Sequence, residues 1–87
     1  MIAKIYVKLK QDVSDPQGIA VKGALESLSF KGVRNVHVGK YFVLEMDEMD
    51  REAAGDQVSS MCEKLLANPV IEDYTFTIES NNAGEKS

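Results

Sequence analysis

Groups able to act as nucleophile, general base or metal ligand are scarce in this chain. Its single cysteine, Cys62, stands one turn after Val58 and beside Leu65 and Leu66, with no histidine or lysine three or four residues away. Nothing there lowers its pKa, so it reads as a packed thiol and not a nucleophile. The single histidine, His37, alternates with Val36 and Val38, and no carboxylate adjoins it to orient the ring. It reads as a surface or interface side chain. One histidine and one cysteine fall short of an all-protein zinc site, and no internal disulfide can form. The cluster Glu45, Asp47, Glu48 and Asp50 offers oxygen ligands, but it stands where a strand leads into a helix. A helix N-terminus favours carboxylates through its dipole, without any metal. Met46, Met49 and Met61 suit gaps in a core or an interface. Gly39-Lys40 lacks the further glycines and the following serine or threonine of a phosphate loop. It can still present a cation at a turn, to meet a carboxylate or phosphate of a partner. No nucleophile, base and oxyanion donors occur together. These residues describe a binding, regulatory or assembly module with no metal or cofactor of its own.

The elements that carry these residues follow from periodicity. Ile5, Val7 and Leu9 alternate with Lys4, Tyr6, Lys8 and Lys10, the pattern of a strand buried on one face. Asp15 is placed to cap a helix and Pro16 suits its first position. Val21, Leu25 and Leu28 form an apolar stripe, widened by Ala20 and Ala24. This helix is expected to end near Phe30, with Gly32 as the left-handed residue after it. A second helix starts at Asp50 with the stripe Ala54, Val58, Met61, Cys62, Leu65 and Leu66, and stops at Asn68-Pro69. Val70 to Glu79 reads as the last strand, with Tyr74, Phe76 and Ile78 on one face.

Between the helices, Val36, Val38, Phe42, Leu44 and Met46 fall on even positions. A two-residue turn at Gly39-Lys40 would split this apolar set between faces. Two arrangements keep it together: a hairpin with Gly39, Lys40 and Tyr41 as its loop, or one long strand bent or bulged at Gly39. Unbroken from Val33 to Asp47, such a strand spans about 45 Å at roughly 3.3 Å per residue. A compact chain of this size has a radius of gyration near 12 Å, roughly 30 Å across. The long strand would overhang its own domain and need another subunit to cover it. The segment is thus a hairpin within one subunit or an arm shared between subunits, with the arm preferred.

The fold class expected is α+β, in the order β-α-β(β)-α-β. It has an antiparallel sheet of three long or four strands, two helices on one face, and sheets paired across a homodimer. At 87 residues there is room for one domain, over positions 1–79, with 80–87 an aperiodic tail expected to be disordered. A net charge of −4 leaves no electrostatic footprint for nucleic acid or an anionic membrane. No apolar run approaches the roughly 18 residues of a membrane span. The start of the chain has no signal-peptide pattern, so a cytoplasmic location is expected.

Three stretches then stand out together: Asp15-Pro16-Gln17-Gly18, Val38-Gly39-Lys40-Tyr41, and the run from Met61 through Asn68-Pro69 to Glu72-Asp73-Tyr74. In this order and spacing the chain resembles the PurS family of phosphoribosylformylglycinamidine synthase subunits, from the first strand to about Ile78. The resemblance implies a step of purine biosynthesis. A synthetase subunit there uses ATP to activate the amide oxygen of formylglycinamide ribonucleotide, and a glutaminase subunit releases ammonia from glutamine. PurS-type chains are the small third component, dimers or tetramers that bridge the other two and carry no catalytic nucleophile. ATP and magnesium belong to the synthetase. Contact residues are expected in the matching motifs: Asp15, Pro16 and Gly18 at a helix start; Gly39, Lys40 and Tyr41 at the turn or overhang; Asn68, Glu72 and Tyr74 at a helix end and strand start. Each also has a local role open to it, such as Asn68 capping its helix.

A different class, an ACT-like module binding an amino acid at a dimer interface, shares the small α+β plan. It calls for a glycine-rich loop after the first strand, and positions 11–15 contain no glycine. An RNA-binding ferredoxin-like domain needs stacking aromatics on its strands and positive charge, both missing here.

Overall fold

Alternation builds the centre of the molecule. The computed structural model describes residues 1–80, and the expected tail lies, from residue 81 on, outside the described residues. In β1 (Ile2–Leu9), Ala3, Ile5 and Val7 are buried while Tyr6 and Lys8 are exposed on the other face. β1 is the middle strand: β2 (Lys40–Glu45) and β3 (Glu72–Glu79) pair with it antiparallel on either side. Ile5 stands opposite Phe42 in β2 and Phe76 in β3, so three apolar rows share one face. The helix α2 (Arg51–Met61) covers that face. Ala3, Ile5, Val7, Val58, Cys62 and Ala67 form the core, with Phe42, Leu44, Met46, Phe76 and Ile78 packed around it. Burying a side chain the size of Ile5 or Val58 contributes about 1.5–3 kcal/mol, so this face holds the domain together. The order β-α-β-α-β and the α+β class agree with the sequence reading.

Both helix starts are as expected. Asp15 caps α1 (Pro16–Ser27) by accepting from the Gly18 amide at 2.8 Å, and Asp50 caps α2 by accepting from the Ala53 amide at 3.3 Å. The far ends differ from the sequence reading. α1 stops at Ser27, short of Phe30, and the left-handed residue closing it is Ser29 (φ 72°). The Phe30 amide donates to the Leu25 carbonyl and the Ser29 amide to the Glu26 carbonyl, both at 3.0 Å, which is the Schellman pattern. Gly32 does take a positive φ of 92°, but in the following loop.

α2 runs on into a π-helical turn over Cys62–Leu66, closed by the Ala67 amide donating to the Cys62 carbonyl at 3.0 Å. The wider turn slips the apolar stripe. Ala54, Val58 and Cys62 stay fully buried, whereas Leu65, expected on the stripe, is 81% exposed. Burial pushes the Cys62 thiol above its ordinary pKa, and the neighbouring Glu63 charge adds to this. A thiol so placed is a poor nucleophile.

The hairpin expected for the Val33–Asp47 segment is not present. Only Lys40–Glu45 joins the sheet, and positions 33–39 lie in no strand. β1 has two edges, and β2 and β3 occupy both. The backbone before Gly39 instead meets the start of α1, where the Val38 amide donates to Asp15. The chain is nevertheless long and thin, 48 × 34 × 15 Å with a radius of gyration of 16.7 Å, well above the roughly 12 Å of a compact chain this size. α1 contributes to this openness. Its stripe is not folded into the core: Ile19 is 66% and Leu28 68% exposed.

Candidate functional site

The expected contact residues fall into four places: one end of the sheet, the start of α1, and each of the two faces of the sheet. The first is one end of the sheet, where β2 and β3 both begin. Lys40 pairs with Val7 and Glu72 with Leu9, so the two side chains flank β1 from either side. Lys40 Nζ lies 3.5 Å from Glu72 Oε2. Glu72 is the better anchored partner, its side chain 13% exposed, and its Oε1 accepts from the Asn68 amide at 2.7 Å. Asn68 closes the same turn: Oδ1 accepts from the Val70 amide at 3.2 Å, and its carbonyl accepts from the Glu72 amide at 2.7 Å. Asn68 and Glu72 therefore build the turn into β3, and Lys40 is the half-exposed end of the group. A cleft of about 360 Å³ opens beside it, lined by Lys8, Gln17, Val38, Gly39, Lys40 and Glu72 among others. Gly39 is needed where it stands, because a β-carbon there would lie 2.5 Å from the Val7 carbonyl oxygen.

The second place is the start of α1. Asp15 accepts from Gly18 through Oδ1 at 2.8 Å and from Val38 through Oδ2 at 2.9 Å. These two amides, Val38 first and then Gly18, hold its carboxyl below the ordinary carboxylate pKa of 3.8, with His37 adding a smaller pull. Gly18 is the one buried residue of α1, and a β-carbon on it would stand 2.0 Å from the Val36 carbonyl oxygen. Pro16 occupies the first turn, where its missing amide costs nothing. Asp15 and Gly18 thus join the helix to the 36–38 backbone, and the Asp15 carboxylate faces inward.

Tyr41 and Tyr74 lie elsewhere, on opposite faces. Tyr41 is one residue from Lys40 and so turns to the face α2 leaves open, where its ring stacks on Tyr6 at 4.8 Å with planes 24° apart. Both rings are half-exposed, with Val43 exposed beside them and Lys4 paired to Glu79 at 3.2 Å. Tyr74 is on the covered face. Its hydroxyl donates to Glu63 at 2.9 Å and lies 3.3 Å from the Ser59 hydroxyl, tying β3 to α2 and the π turn. The sequence reading missed Tyr6, Val43 and Ser59 as partners. Tyr6 was visible as the aromatic among the lysines of the first strand, but only the register of β1 with β2 sets it against Tyr41.

Among the described residues no three His, Cys, Asp or Glu side chains converge to hold a metal ion, and no helix is long and apolar enough to cross a membrane. The arrangement offers contact surfaces: a charged cleft at one end, an aromatic patch on the open face, and the bare stripe of α1.

A family model, PurS, described as phosphoribosylformylglycinamidine (FGAM) synthase, matches residues 2–80. The phosphoribosylformylglycinamidine synthase subunit PurS of Bacillus subtilis is 50% identical over 76 residues, covering 87% of this chain and 89% of that one. The PurS subunit of Archaeoglobus fulgidus is 47% identical, covering 87% and 95%. Among solved structures, B. subtilis PurS superposes with a TM-score of 0.82 at 48% identity, covering 91% of this chain and 98% of that one. A chain in the structure of PurLQS from Thermotoga maritima gives a TM-score of 0.76 at 30% identity, covering 88% and 96%.

Proposed function

The chain belongs to the PurS family of phosphoribosylformylglycinamidine synthase subunits, and on that premise we propose that it is the non-catalytic assembly subunit of this ligase. In this reading it bridges a glutaminase subunit and an ATP-dependent synthetase subunit, and it acts as a homodimer or homotetramer in the cytoplasm. ATP and magnesium sit on the synthetase. The relative found in PurLQS is the precedent for such a complex. The observation that carries the proposal is the contrast within the chain itself. Among the described residues no His, Cys, Asp or Glu side chains converge in threes, while Tyr6, Tyr41, Val43, Ile19, Val21 and Leu28 are exposed. Apolar surface on this scale marks interaction sites. A second copy suits α1 and the open face, while the charged cleft at Lys40 suits a polar partner.

Holding the glutaminase beside the synthetase raises the effective concentration of ammonia at the second site, which is how a chain without reacting groups accelerates the overall reaction. The test is reconstitution. The chain alone is expected to show neither glutaminase nor ATPase activity, and glutamine-dependent amidine formation by the two larger subunits is expected to require it. Full glutamine-dependent activity without it would overturn the proposal. The ACT-like alternative finds no support, since the connection from β1 to α1 lacks the glycine-rich loop it needs.

A further inference from the structure

We draw no further inference here: the strongest candidate, the cleft at the end of the sheet lined by Lys8, Gln17, Gly39, Lys40 and Glu72, carries nothing, because Lys40 is already paired with Glu72 and nothing in the structure shows what covers the cleft.

Discussion

Gly18→Ala puts the junction of α1 with the 36–38 backbone to a quantitative test. On helix propensity alone alanine gains about 1 kcal/mol over glycine. Against this, the new β-carbon would stand 2.0 Å from the Val36 carbonyl oxygen and 3.0 Å from its carbon. Ordinary carbon–oxygen contacts are about 3.3 Å, so the junction must open by more than an ångström. The obstructing atoms are backbone, with no flexible side-chain end to swing away. Forcing a methyl into a packed site costs about 1–3 kcal/mol, more in severe cases. Taking the upper end, the net loss is about 2 kcal/mol, or roughly 8–16 °C in Tm for a domain this size. Gly23→Ala is the internal control: nothing lies within 4 Å of its β-carbon, so it is expected to stabilise by about 0.5–1 kcal/mol. Thermal and urea unfolding of both variants, at one fixed protein concentration because association shifts apparent stability, reads the difference. A Gly18→Ala protein as stable as Gly23→Ala would refute the reasoning.

Other outcomes follow from the same geometry. Ser29→Gly relieves a side chain held at φ 72° and is expected to raise stability by about 0.5–1 kcal/mol in urea unfolding. Asp15 has a folded-state pKa below its ordinary 3.8, so its contribution is complete above that value and vanishes as pH falls through the lowered one. The stability difference between the unsubstituted chain and Asp15→Asn should therefore be constant near neutrality and shrink under acid, as read by urea midpoints across the acid range. Lys40→Glu sets a second carboxylate against Glu72, whose side chain is 13% exposed. It is expected to lower stability by about 1 kcal/mol or more while weakening co-purification with the glutaminase and synthetase beyond the loss seen with the neutral Lys40→Gln. Unchanged complex formation would return Lys40 to ordinary surface.

Local signals were legible wherever one residue type satisfies one local demand. Asp15 and Asp50 each accept from a first-turn amide, and that demand is fixed within four residues. The buried face of β1 followed from alternation for the same reason. Features set by distant segments were not legible. The even-numbered apolar set from Val36 to Met46 suggested one continuous sheet face, but β1 had only two edges to offer, and position 38 found its acceptor at Asp15. Leu65 fits a helical period of 3.6, and the π turn over Cys62–Leu66 breaks that period. The contact motifs were found without their grouping. Lys40, Glu72 and Asn68 converge and Tyr41 and Tyr74 diverge because of pleat and register, which sequence spacing alone does not fix.

The strand order carries a kinetic consequence. β1 comes first in the chain yet sits between partners that come third and last among the strands' neighbouring elements, so its pairing with β3 joins Ile2 to Glu79. No local hairpin is available to start the sheet. The search for that distant partner must be completed before the second edge of β1 is paired, and such non-local closure slows folding by orders of magnitude relative to helical proteins of similar size. Until β3 arrives, that edge of β1 stays open, and the lysines alternating along the strand oppose its pairing with another nascent copy.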